Sequence, residues 1–344
     1  MAASSSSTAP PPGVPAAPPP RSFTLAAGGD ILIHPALTEQ AKADGGGKLD
    51  FGPLLEGLRP AVAADLSICH LETPLSAPGE PTFGYPAFSA PPEVAKALVD
   101  LGYDSCSTAS NHTLDRDVRG VRTTLDVLDS VGMKHTGSAR TPEEAARPLI
   151  LDANGVKVAQ VSFTFGFNGI PLPEPWTANP LDPQKVIEAG RAAKAAGAEV
   201  VVASLHWGAE YEADPTLEQR TMAATILADP AIDLIIGTHV HTVQPMEQIA
   251  GKWVVYGMGN EAAKHEEPRG TTEEGLIARF RFVQGPQGWH VDEARYRPTL
   301  VELGPPIRVI DLASFPPTPR RTEALARTDE IVGRLGAAEA GLGR

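Results

Sequence analysis

Five short apolar segments of this chain each run into a polar, metal-competent residue just past their C-terminal end. Asp30 follows SFTLAAGG, Glu72 follows LSICHL, Asn111 and His112 follow DSCSTAS, His206 follows VVVASL, and His239 and His241 follow DLIIGT. Core packing gives no reason for donors to recur at the same end of successive strands. In open α/β sheets ligands bind outside the carboxyl ends of the strands, so the five segments are expected to converge on one rim.

The remaining pattern agrees with such a sheet. Candidate strands cover 22–27, 66–69, 104–108, 149–151 paired with 157–163, 200–205, 234–236, 253–256 and 275–282. Several are continuous and β-branched, as strands covered on both faces should be. Helical spacing falls between them, with Val94, Leu98 and Leu101 on one face before Gly102, and Val118, Val121, Leu125, Leu128 and Val131 on another before Gly132. Asp182-Pro183 and Asp214-Pro215 each offer a cap followed by a proline in the first helical turn. The alternation predicts an α/β fold, with a weak terminal helix over 321–342.

Taken singly, most of the rim residues have plainer uses. Asp30 behind Gly28-Gly29 suits a turn, Glu72 a solvated strand end, Asn111-His112 a helix cap with a surface histidine, and His206 a satisfied core histidine. His239-Val240-His241 is sharper, because two imidazoles flanking one residue after a glycine turn rarely serve packing. Together, carboxylate, amide oxygen and imidazole form the ligand set of Mn, Fe or Zn. A carboxylate can bridge two ions about 3.5–4 Å apart, a role open to Asp30 or Glu72. Thiolates are not part of the rim: Cys69 and Cys106 lie within candidate strands and are expected as buried free thiols.

Charge narrows the partners. With 29 Lys+Arg against 42 Asp+Glu the net charge is −13, and no basic run exceeds Arg320-Arg321, which argues against nucleic acid. No stretch approaches the roughly 20 apolar residues of a membrane helix, so no membrane anchor is expected. Residues 1–20 contain seven Pro, five Ala and four Ser, a disordered composition. They lack the basic start and the apolar run of about 7–15 residues of a secretory signal, so a cytoplasmic location is expected.

In order, GGDILIH, HLETPLS, STASNHTLD, SLHWGAEY, GTHVHTVQPME and VVYGMGNE resemble the CapA family of poly-γ-glutamate capsule synthesis proteins, a branch of the calcineurin-like metallophosphoesterase superfamily. The resemblance runs from about Phe23 to about Asn260, with weaker support to about Leu303. It implies a four-layer αββα sandwich over 22–303, preceded by the Pro/Ser/Ala tail of 1–21 and followed by an extension over 304–344. It also implies a dinuclear centre of divalent ions on the rim between two sheets, with a single ion left open by the departures at Leu32 and Glu72. Asp30 matches the first carboxylate ligand and Glu72 the second, where the superfamily generally has a bridging Asp. Asn111 matches the amide ligand, His206 the lone histidine, and His239 and His241 the paired histidines. His112 matches the histidine that faces substrate and protonates the leaving group, and Asp115 and Glu210 occupy accompanying acidic positions.

The sequence departs from that pattern at Leu32, where the superfamily usually has a histidine, so that one ligand is either missing or replaced by His34. Typical capsule proteins of the family also carry an N-terminal membrane anchor, where this chain has its Pro/Ser/Ala tail. The activity implied is metal-dependent hydrolysis of a phosphoester or a γ-glutamyl-type amide in a small-molecule or peptide-like substrate. Two other uses of the scaffold stay open: a non-catalytic component of capsule polymer synthesis, and a non-hydrolytic biosynthetic step. The Pro- and aromatic-rich segment 166–183 is expected as a loop beside the rim.

Overall fold

The computed structural model describes residues 20–344, so the Pro/Ser/Ala tail lies outside the described residues except at its last positions. In chain order the strands are β1 (Ser22–Leu32), β2 (Leu66–Leu71), β3 (Ser105–Ser107), β4 (Lys134–Thr136), β5 (Leu149–Ala153), β6 (Val156–Thr164), β7 (Val200–His206), β8 (Leu234–Thr238), β9 (Met246–Ile249), β10 (Lys252–Val255), β11 (Asn260–Ala263), β12 (Glu274–Gly285), β13 (Gly288–Glu302) and β14 (Arg308–Asp311). They form an eight-stranded sheet ordered β14-β13-β12-β1-β2-β3-β4, with β11 beside β1, and a six-stranded sheet ordered β5-β6-β7-β8-β10-β9.

Three cores separate four layers. Phe23, Leu25, Leu66, Ile68, Val158, Val200, Val202, Leu234 and Ile236 pack between the two sheets. Helices Glu93–Leu101 and Asp117–Ser130 cover the first sheet through Val94, Leu98, Val121 and Leu125. Helices Pro183–Ala195 and Leu217–Leu227 cover the second through Val186, Ala193, Ala223 and Ile226. The central strands are therefore buried on both faces, which is why they read as continuous apolar runs. The αββα sandwich is the arrangement the resemblance implied.

Several details differ from the sequence reading. The first strand does not turn at Gly28-Gly29 but continues to Leu32. Helix Leu217–Leu227 is capped by Thr216, in a reciprocal capping box with Gln219, instead of by Asp214. The terminal helix spans Pro319–Val332, capped by Thr318, and its Ile331 and Val332 join the inter-sheet core. Within 304–344, β14 pairs antiparallel with β13 and so extends the first sheet.

Cys69 and Cys106 are not free thiols. They are register partners on the adjacent parallel strands β2 and β3, both turned to the helix-covered face, with Cα atoms 4.4 Å apart, and they are joined as a disulfide. Strand neighbours and register decide that pairing, and neither is legible in the two isolated segments. Among the described residues no helix is long and apolar enough to cross a membrane.

Candidate metal centre

Gly28 and Gly29 decide where Asp30 points. Phe23, Leu25 and Ala27 face the inter-sheet core, so an unbroken strand would aim residue 29 inward and residue 30 away. A bulge between Ala27 and Asp30 resets the alternation: Asp30 turns to the space between the sheets, while Ile31 and Ile33 pack beneath the helices. A Cβ on Gly29 would collide with the Gly259 backbone carbonyl, so that position needs glycine, and one on Gly28 would displace the Glu261 carboxylate.

The other strands reach the rim by simple alternation. On β2, Leu66 and Ile68 face the inter-sheet core, and the same face continues through His70 to Glu72, just past the strand end. On β7, Val200 and Val202 lead to Ser204 and His206; on β8, Leu234 and Ile236 lead to Thr238. Each strand is apolar deep in the interlayer and polar toward its carboxyl end. At the transition Ser105 Oγ donates to Gln160 Oε1 at 2.7 Å and Gln160 Nε2 to Ser204 Oγ at 3.0 Å, which satisfies the buried amide across the two sheets.

His239 and His241 sit in a turn after β8 with φ of 96° and 56°, left-handed conformations that cost of order 1–3 kcal/mol each outside glycine. Surrounding contacts hold the turn. The His239 N–H donates to both Asp30 oxygens at 3.2 Å, and the Val240 carbonyl accepts from Tyr211 N–H at 2.7 Å.

These elements bring Asp30, Glu72, Asn111, His206, His239 and His241 to one place. Donor atoms within 4.8 Å of one another group as Asp30, Glu72 and His241; as Glu72, His206 and His239; as Glu210, His239 and His241; and as Asp30, His70 and His206. Asn111 joins the second set, its Oδ1 lying 2.9 Å from His206 Nε2. Glu72 Oε1 is 3.8 Å from His241 Nε2 and 3.9 Å from His206 Nε2. Asp30 Oδ2 is 3.5 Å from His241 Nδ1, which also lies 3.0 Å from Asn260 Oδ1.

The electrostatics fit a cation. Both Glu72 oxygens, His70 Nε2 and His239 Nδ1 are buried without a hydrogen-bond partner, a cost that native cores rarely leave uncompensated. Burial pushes the Glu72 carboxyl well above the usual range, reinforced by the neighbouring Asp30 charge. Burial would also raise Asp30, but the hydrogen bond and charge of His241 bring it below its ordinary value. Burial would lower His241, yet Glu72 and Asp30 push it up to about 10. Burial holds His206 well below the ordinary range and His239 down to about 3, so both rings are neutral with a lone pair available. A divalent ion would satisfy the orphaned atoms and offset the two carboxylates, so these residues fit one.

Beside the ligands opens a cavity of about 830 Å³, lined among others by His112, Asp115, Glu210, Tyr211, Asn168, Ile170 and Arg269. Asp115 Oδ2 lies 2.7 Å from His112 Nδ1 and also accepts the Phe88 N–H at 2.7 Å, while the Phe88 ring packs edge-on against the imidazole. That leaves His112 Nε2 for the cavity. Asn168 and Ile170 bring the 166–183 loop to the rim, and Asn111 Nδ2 donates to Asn168 Oδ1 at 3.2 Å.

Some residues fall elsewhere than expected. His34 joins none of the ligand groups; its Nδ1 lies 3.0 Å from the Leu32 carbonyl and 3.3 Å from Lys264 N, and its ring faces Phe88. Sequence reasoning passed over His70, whose signal was its place two residues before Glu72 on the same strand face. It also passed over Arg269, which lies 4.0 Å over the Tyr211 ring in a loop with no periodic signature.

Residues 24–264 match the family of bacterial capsule synthesis proteins PGA_cap. The PGA biosynthesis protein CapA of Bacillus subtilis is 30% identical over 171 residues, covering 49% of this chain and 44% of that protein. A probable polyglutamine synthesis accessory protein of Mycobacterium tuberculosis is 26% identical over 219 residues, covering 59% of this chain and 57% of that protein. The chain thus spans about half the length of these curated relatives. Among solved structures, a phosphatase from Mycoplasma pneumoniae shares the fold, with a TM-score of 0.50 at 14% identity over 82% of this chain and 94% of that one. The matched span contains Asp30, Glu72, Asn111, His206, His239 and His241 together, and the chain belongs to the PGA_cap family of bacterial capsule synthesis proteins.

Proposed function

We propose that the rim is the divalent-metal centre of a hydrolase. The observation that carries this reading is the convergence of unpartnered, buried Glu72 and His239 atoms beside a cavity into which an Asp-held histidine points. Asp30, Glu72 and His241 would hold one ion, and Glu72, Asn111, His206 and His239 a second, with Glu72 common to both and Glu210 at the open side. The nitrogen and oxygen donors suit Mn, Fe or Zn. Such ions, when bound, supply Lewis acidity and a nucleophilic water near neutral pH.

The chain's own groups do the rest. Asp115 accepts the Nδ1–H of His112 and fixes the ring, so that Nε2 can deliver a proton to the departing oxygen or nitrogen of a substrate in the cavity. Phe88 packs against the other side of that ring and limits its rotation. A cavity of about 830 Å³ accommodates a small molecule or a short stretch of a peptide-like chain. The bond is a phosphoester or a γ-glutamyl-type amide, and the naming of the Bacillus subtilis relative for PGA biosynthesis makes γ-glutamyl amides the first class to assay.

Turnover of a panel of phosphoesters and γ-glutamyl amides by the metal-loaded protein tests this. His112→Ala is expected to lower turnover of the accepted class by about 10²–10⁴ while bound metal is unchanged. Wild-type turnover in that variant contradicts the proton-donor role, and no turnover of either class by the wild-type protein contradicts the hydrolase.

A further inference from the structure

Asp30 has an imidazole against each of its oxygens, and only one belongs to the expected ligand set. His241 Nδ1 faces Oδ2 at 3.5 Å, and His70 Nε2 faces Oδ1 at 3.8 Å. His70 is the register partner of Asp30 across β1 and β2. One of its ring nitrogens also falls within 4.8 Å of a donor atom of His206.

The contacts around the ring suit one tautomer. Ser107 Oγ lies 3.3 Å from the Cys69 carbonyl and 2.8 Å from His70 Nδ1, an arrangement in which a hydroxyl that donates to the carbonyl accepts from an Nδ1–H. In that tautomer Nε2 keeps its lone pair. That lone pair faces a carboxylate oxygen to which it cannot hydrogen-bond, in a side chain 3% exposed, and Nε2 has no other partner. Two electron-rich atoms buried face to face are unfavourable unless a cation lies between them. On β1, meanwhile, Leu32 packs with Phe88 and Ala263 and offers no donor. The strand that lacks an imidazole at Leu32 therefore lies beside one that has an unassigned imidazole at the height of Asp30.

The geometry points to His70 as a fourth imidazole ligand of the centre, binding through Nε2 the divalent cation that Asp30 holds, with Ser107 fixing the tautomer. This rests on the reading of the rim as a metal centre. It makes β2 the source of two ligands, His70 and Glu72, spaced by the strand's own two-residue repeat.

Full-length protein labelled with ¹⁵N at histidine, stripped with chelator and titrated with Zn²⁺, tests this through long-range ¹H–¹⁵N imidazole spectra. The nitrogen resonances of His70, His206, His239 and His241 are all expected to shift, and His70→Gln, which identifies the His70 signal, leaves three shifting rings. If His70 stays unmoved while the other three shift, its ligation is wrong and the metal centre stands; if no ring shifts, the centre itself is wrong. Should His70→Gln fail to fold, the count of shifting rings in the wild-type protein still decides. Ser107→Ala keeps every ligand side chain and is expected to weaken Zn²⁺ affinity in a chelator competition by about 10–100-fold. Unchanged affinity contradicts the tautomer argument.

Discussion

The two halves of the rim come from different sheets and are made by different devices. The first sheet supplies Asp30 through a glycine bulge, and Glu72 and Asn111 just past strand ends. The second supplies His206 at the end of β7 and His239 and His241 from a left-handed turn. One half is acidic and the other is imidazole-rich, and each shifts the other's titration: Glu72 and Asp30 raise His241, while His241 lowers Asp30. The proposed centre therefore forms only when the two sheets pack in register, and neither half is a ligand set by itself.

Breaking the residue that joins the two ligand groups has the largest expected effect. Glu72 belongs to both the Asp30–His241 group and the His206–His239 group. Glu72→Gln is expected to lose most bound metal and to lower turnover beyond the roughly 10–100-fold that loss of an outer hydrogen-bond partner costs. Metal analysis and steady-state rates on the same preparation check both.

Disturbing only the first half is expected to do less. In Gly29→Ala the new Cβ meets the Gly259 carbonyl, so the bulge must open and Asp30 must move. A stability loss of about 1–3 kcal/mol in denaturant unfolding is expected, with metal lost from the Asp30 side and retained at His206 and His239. Equal loss from both sides would show that the two ligand groups are not separable in this way.

The smallest effect concerns a buried acid behind the first half. Glu261 accepts from Tyr103 Oη at 2.7 Å, and burial raises its carboxyl to about 8 against an ordinary value of 4.5. Between those two values the folded chain holds a proton that the unfolded chain releases, so stability from this site falls as pH rises from about 5 to about 8. Glu261→Gln should remove that slope. Its melting temperature relative to wild type, measured in chelator, is expected to climb by on the order of a few degrees across the interval. A gap that does not change with pH contradicts the raised value.

The same contrast explains what the sequence disclosed. The imidazole half was legible because a histidine directly ending an apolar strand, and a pair flanking one residue after a glycine, are local patterns. The acidic half was legible in its residue types but not in its geometry. Gly28-Gly29 reads as a turn, and only the parity break between Ala27 and Asp30 shows it to be a bulge inside β1. His70 was hidden because it lies inside an apolar strand, where a histidine is ordinarily core. The cysteine pairing and the antiparallel β13 and β14 depend on which strands become neighbours, and that is settled by long-range packing.

Every proposed role at the rim depends on these donors holding divalent metal. Elemental analysis of purified full-length protein, from cells supplied with Mn, Fe and Zn, tests it together with the folded double variant His239→Ala, His241→Ala. Divalent metal near or above one equivalent is expected in the wild-type protein, with most of it lost in the variant. A wild-type protein without metal, or a variant that keeps the full content, would contradict it.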